Sequence, residues 1–283
     1  MSELDPIVFC REMVREDDRE RYDCALFAPS DVQPRLWALY AFNQEIAKTR
    51  ENVSEEALGQ IRLQWWRDVV QELREDKTRD HPVVQAMSGE LRNPVILDIL
   101  DRLIDAREQD LYDDGPADFD ALLSYADGVG GLVSEAALRL SLKSEATEPL
   151  VAGAHSVGKA WAMLGLVRAI PFHWASNRNY LPDEKGKASL ATTDADKMFE
   201  LAAPSIEKML NFVSAELGKL ASASMNVPRS ARHVFLPLAL MEANVSALHQ
   251  CGNNPFKVQE IGELSRLWKL TKASLLKSLD DLV

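Results

Sequence analysis

The chain has 283 residues, 46% of them hydrophobic, enough to bury a large core as one sizeable domain or two small ones. Its 44 acidic against 32 basic residues give a net charge of −12, which works against holding nucleic-acid phosphates or an anionic bilayer through bulk electrostatics and leaves only a local basic pocket open. Cys10, Cys24 and Cys251 are odd in number and widely spaced, so they suggest neither a disulfide framework nor a zinc site, and a reducing cytoplasm is the expected compartment. The first six residues carry neither a basic region nor an apolar stretch, and nowhere do about 18 apolar residues run unbroken. No transmembrane segment and no nucleic-acid partner are expected, though the protein can still touch a membrane.

Taken in chain order, Asp5-Pro6 opens a first helix as cap and N1 proline. A helix over 31–50 follows, and Ser54 caps the next, where Leu58, Ile61, Trp65 and Val69 form a stripe at steps of three and four. Asn93-Pro94 starts another, with Ile96, Ile99, Leu100, Leu103, Ile104 and Leu111 on one face and Asp98, Asp101, Asp105 and Glu108 on a solvated one. Further helices are predicted over 117–142, 146–170, 203–222, 229–249 and 257–281. The breakers at Asp113–Pro116, at 182–193 and at Cys251–Pro255 are short, and no segment alternates as a strand does. The class is all-α, and with no composition shift or repeat a single domain over 1–283 is the economical reading.

Several stretches carry chemistry. Tyr22, Leu26, Pro29, Arg35 and Leu39-Tyr40-Ala41-Phe42 stand in order near the amino terminus; Leu63-Gln64-Trp65-Trp66-Arg67 and Tyr125 to Leu132, with Gly130-Gly131, follow. Then come Gly158-Lys159-Ala160, Leu166-Val167-Arg168 and Arg178-Asn179-Tyr180-Leu181-Pro182. This series resembles the squalene/phytoene synthases from about residue 20 to 185. The resemblance implies an isoprenoid-synthase-type helical bundle around a central cavity. It also implies two aspartate clusters, facing each other from two helices, that hold magnesium ions on a departing prenyl diphosphate.

The clusters are degenerate. Counted from Phe42, the family's Asp-Asp-x-x-Asp falls on Ala47-Lys48-Thr49-Arg50-Glu51, where Glu51 alone is acidic; the second motif falls on Ala169, Ile170, Pro171, Phe172 and His173, with no carboxylate. Pro171 also ends or kinks its helix. No catalytic residue and no metal ligand is therefore assigned. A narrower resemblance, carried by Arg102 to Leu111, by Leu166 to His173 and by Tyr180-Leu181-Pro182, is to the branch containing a mitochondrial respiratory complex I assembly factor.

The expectation is a non-catalytic protein without cofactor, acting in respiratory-complex assembly or in isoprenoid or lipid binding, cytoplasmic or peripheral at a membrane. A prenyl diphosphate or lipid and a membrane-complex partner are the ligands considered. Lys48, Arg50, His173 and Arg178, with Arg35, Arg168 and Tyr180 beside them, form a metal-free anion pocket, or else pair with acids such as Glu45 and Glu51 in a filled cavity. Tyr40, Phe42, Trp161 and Trp174 are the candidate cavity lining. His155 reads as a satisfied histidine rather than a ligand. The alternative function is a magnesium-dependent head-to-head prenyltransferase making squalene or phytoene; a third is a structural interaction module with a filled interior.

Overall fold

The computed structural model describes residues 5–53, 55–182, 188, 191–223 and 225–275. Among the described residues every regular element is helical: α1 (Pro6–Asp17), α2 (Arg19–Ala25), α3 (Gln33–Ala47), α4 (Thr49–Asn52), α5 (Glu56–Arg74), α6 (Pro82–Glu90) and α7 (Pro94–Arg107) come first. After them run α8 (Phe119–Ala126), α9 (Leu132–Ser141), α10 (Glu148–Arg168), α11 (Ile170–Ala175), α12 (Ala195–Ser222), α13 (Pro237–Gln250) and α14 (Glu263–Leu275). The chain divides into two compact units. One comprises Met1–Tyr112, Leu132–Ala154 and Val227–Phe235; the other comprises Asp113–Gly131, His155–Asn226 and Leu236–Val283.

The first unit is organised by α3. Leu36, Trp37, Ala38, Leu39, Tyr40, Ala41, Phe42 and Ile46 are all buried, so the helix is apolar around its circumference and has to be enclosed. It packs on α1, α6 and α9, and Phe42 meets Trp66 of α5 edge to face at 5.4 Å. The Asp5 carboxylate accepts from the Ile7 N–H at 2.8 Å and Pro6 needs no donor partner, which starts α1 as expected. Asn93 starts α7 in the same way, accepting from the Val95 N–H at 2.9 Å. The cap expected at Ser54 lies outside the described residues.

The acidic face of α7 is at the surface, as expected, and it is also paired: Arg74 of α5 reaches Asp98 at 2.8 Å and Asp101 at 2.7 Å, while Arg67 reaches Asp105 at 2.9 Å and also Glu108. The two arginines stand two helical turns apart and so do the two acid pairs, so α5 and α7 lock in antiparallel register. Each partly exposed pair contributes at most about 1 kcal/mol.

The same unit holds a buried histidine. The Ser141 hydroxyl donates to the Ala137 carbonyl at 2.6 Å and lies 2.8 Å from His233 Nε2. Its one proton is committed, so Nε2–H donates to it and Nδ1 is the unprotonated nitrogen. Nδ1 is buried with no hydrogen-bond partner among the described residues, and burial pushes the His233 pKa down to about 3.

In the second unit the helix expected over 117–142 is interrupted by a wide π turn at Asp127–Gly131. The cause is tertiary. A Cβ on Gly130 would collide with the Gly158 carbonyl of α10 and sit 2.7 Å from Ala162 Cβ, so this close approach requires glycine. α10 is long and apolar enough, by length and composition, to cross a membrane, but half of that apolar window is buried inside the protein. α12 begins at Ala195 rather than near 203: Asp194 caps it by accepting from the Asp196 N–H at 2.9 Å, and the helix continues through Pro204. The helix expected over 229–249 is a 3₁₀ turn, Arg229–Val234, followed by α13. α13 ends in a Schellman motif, the Asn253 N–H bonding the Leu248 carbonyl at 2.8 Å with Gly252 at φ +65°. α14 is shorter than the expected 257–281, whose last residues, like 183–187 and 189–190 of the expected breaker, lie outside the described set.

Two predictions follow from this packing. Gly130→Ala is expected to lower stability by about 1–3 kcal/mol in chemical denaturation, because backbone on both sides has to move. His233 binds its proton in the unfolded chain near the ordinary value of about 6.5 but in the folded chain only near 3, so its stability contribution is complete above about pH 6.5 and falls as the pH drops toward 3. The loss of stability between pH 7 and 4.5 is then expected to be smaller in His233→Gln than in the parent by on the order of 2–3 kcal/mol, read from urea midpoints and slopes.

Candidate functional site

In the first unit, α3 ends at Ala47, the first position of the degenerate acidic motif, and the chain restarts as α4 at Thr49. Lys48 occupies the break. Its ammonium pairs with Asp17 at 2.5 Å, not with Glu45 or Glu51; Glu45 is taken by Arg62. Arg50 donates to the Val53 carbonyl at 3.3 Å, and Glu51 is exposed.

Tyr40, Gln44 and Lys48 are spaced by four, so they form one stripe along the end of α3. The junction of α1 and α2 meets that stripe with charge. Asp18 accepts from Arg21 and from Gln44 Nε2, the latter at 3.2 Å, and the Arg21 guanidinium lies 6.0 Å from the centre of the Tyr40 ring. Burial lowers the Arg21 pKa, but Asp18 and Tyr40 outweigh it and hold the guanidinium above its ordinary value. Burial likewise pushes the Tyr40 hydroxyl well up, with Arg21 only partly opposing it. Two cations, Arg21 and Lys48, thus face two carboxylates, Asp17 and Asp18. Phe42 is wholly buried core.

In the second unit, α10 ends at Arg168, the chain breaks at Ala169 and α11 restarts with Pro171 in its first turn, as the proline implied. α11 closes in a second Schellman motif: Asn177 has φ +54°, its N–H bonds the Trp174 carbonyl at 3.0 Å, and the Arg178 N–H bonds the His173 carbonyl at 2.8 Å. This tight reversal folds 178–181 back onto α11. The His173 ring centre lies 4.6 Å and the Tyr125 ring centre 5.7 Å from that of Tyr180. His173, Trp174, Arg178 and Tyr180, with Ile170 and Met209, line a small pocket of about 10 Å³. Trp174 is anchored by its indole N–H on the Thr192 carbonyl at 3.1 Å and by the Phe256 ring at 5.5 Å. Arg168 and Trp161 are half-buried on α10.

Within the second unit the structure brings His173, Trp174, Arg178 and Tyr180 together; within the first, Lys48 pairs with Asp17 and Tyr40 lies against Arg21. Arg35 belongs to neither: it donates to the Leu140 carbonyl at 3.3 Å and lines a groove of about 590 Å³ with Glu90, Arg139 and Lys143. Sequence reasoning missed Arg21 and Asp18, although Asp18 is also the cap of α2. It also missed Asp127, which accepts from His155 Nδ1 at 3.1 Å and pairs with Lys159 at 3.3 Å. Burial raises the Asp127 pKa, but His155 and Lys159 together hold it below the usual carboxylate range. His155 is a satisfied histidine, as expected. The four-residue spacing of His155 and Lys159 opposite an acid within a glycine-rich turn was the available signal.

Comparison with known proteins bears on this geometry. The squalene/phytoene synthase family matches residues 14–272. The chain is 31% identical over 178 residues to the Mus musculus protein "NADH dehydrogenase (ubiquinone) complex I, assembly factor 6", covering 62% of this chain and 52% of that one. It is 23% identical over 260 residues to the Dictyostelium discoideum homolog, covering 88% and 71%. The chain spans about half the length of the mammalian relatives it matches. Among solved structures, a dehydrosqualene synthase in complex with ligand superposes with a TM-score of 0.75 at 15% identity over 95% of both chains. Squalene synthase HpnC from Alicyclobacillus acidocaldarius gives 0.71 at 18%, over 89% of this chain and 95% of that one. At those identities the structures speak for the fold alone, which is the isoprenoid-synthase type. With the family match running nearly end to end, the chain is a member of the squalene/phytoene synthase family.

Proposed function

We propose that this protein is a non-catalytic member of its family that acts in the assembly of a respiratory NADH dehydrogenase. The observation that carries the reading is the state of the two motif segments. Synthase chemistry needs carboxylates repeated on one face of an unbroken helix, so that their oxygens converge on magnesium. Here α3 stops at Ala47 and α10 stops at Arg168, and both breaks fall on the motif positions themselves.

The side chains in those segments do not fit a magnesium cage. Lys48 puts an ammonium where a ligand oxygen is needed and is bound to Asp17. Glu51, the one retained acid, is exposed, and residues 169–173 offer no carboxylate. Nor do they favour a metal-free diphosphate seat in the first motif, since Lys48 and Arg21 are neutralised by Asp17 and Asp18. The assembly role draws its support from the relatives named as complex I assembly factors.

Deleting the gene in the organism that encodes it is expected to lower the amount of assembled NADH dehydrogenase on native gels, and the parent chain to restore it. Glu51→Gln, which removes the last acid of the first motif, is expected to restore it equally. Normal assembly in the deletion strain contradicts the assembly role; failure of Glu51→Gln alone contradicts the non-catalytic one.

A further inference from the structure

We propose that the outward face of α14 docks the protein on an anionic lipid bilayer. α14 has two apolar faces. At about 100° per residue, Leu264, Trp268 and Leu275 fall within roughly 40° of one another, while Leu270 and Ala273 fall roughly 180–240° from Leu264. Leu270 and Ala273 are buried and hold the helix to its own unit, where it packs against α13. The other face is in solvent: Leu264 is 85% exposed, Trp268 64% and Leu275 77%. A helix needs one apolar stripe to join a core, and the second stripe has no role within the chain's described residues.

The charge beside that stripe selects the occupant. α14 carries Arg266, Lys269 and Lys272 against Glu263. At the same spacing Lys272 falls roughly 40° beyond Trp268, beside the exposed stripe, and its ammonium stands 5.7 Å from the centre of the Trp268 ring, whereas Lys269 falls roughly 100° beyond Trp268 and Arg266 lies on the side of Leu270 and Ala273. Indole with lysine beside it suits the headgroup level of a bilayer, where the ring enters the acyl boundary and the ammonium reaches lipid phosphates. Lysine is depleted at protein–protein interfaces, and the three apolar side chains project outward instead of lining a groove. The global negative charge does not oppose this docking at physiological salt, because screening over roughly 8 Å leaves the local helix charge in control.

The test is co-sedimentation of the full chain with phosphatidylcholine vesicles and with vesicles rich in phosphatidylglycerol, at low and high salt. The parent is expected to bind the anionic vesicles and to be released by salt. Leu264→Ser with Trp268→Ser is expected to weaken binding at least about tenfold, and Lys272→Ala roughly fivefold, with unfolding midpoints unchanged. No binding by the parent, or variants that bind as the parent does, overturns the proposal. So does a parent dimer that Trp268→Ser converts to a monomer, which assigns the face to a second copy of the chain. This outcome is independent of the assembly reading, which the deletion strain tests separately.

Discussion

A helix that is apolar on every side has to be surrounded, and α3 imposes that constraint on the first unit. Its enclosure by α1, α6 and α9 brings the end of α1 against the end of α3, which is where the first acidic motif of a synthase would stand. What α1 presents there is Asp17, with Asp18 following it, and what α3 presents is Tyr40, Gln44 and Lys48. Lys48 and Asp17 are both part-exposed, so their pair contributes at most about 1 kcal/mol. Removing Lys48 alone would leave Asp17 in like-charge company with Asp18.

The second unit solves a different problem by backbone means. Pro171 cannot continue α10, so the chain breaks at Ala169 and turns through the Schellman motif at Asn177. That turn brings His173 and Tyr180 into ring contact. The two segments thus differ locally, with an ion pair at Lys48 in one and a proline break at 169–171 in the other.

Much of this was legible in the sequence, and the limits have physical reasons. Helix starts at Asp5 and Asn93, the break at Pro171 and the reversal at Gly252 are written in residues whose backbone preferences act locally. The motif Leu39 to Phe42 reads as a buried helix because it is one. The π turn at Asp127–Gly131 was not legible, since it depends on how closely Gly130 approaches Gly158, a tertiary fact. Helix α12 starts at Ala195 instead of near 203 because the Asp194 carboxylate caps it and Pro204 is accommodated within the helix. In the site, the resemblance implied acids at 47–51 and 169–173, and the sequence there carries only Glu51. Which acid Lys48 would choose was not legible, because Glu45 and Glu51 are near in sequence while Asp17 is near only once α1 has packed on α3.

The central claim is that a synthase fold has been kept while the magnesium-binding ends of two helices have been rebuilt. Incubating the purified chain with farnesyl diphosphate and magnesium, and following released diphosphate and hydrocarbon product, tests it most directly. The account predicts no diphosphate release above the protein-free rate. Magnesium-dependent release accompanied by a head-to-head product would contradict it, because carboxylates elsewhere in the chain would then be holding the metal.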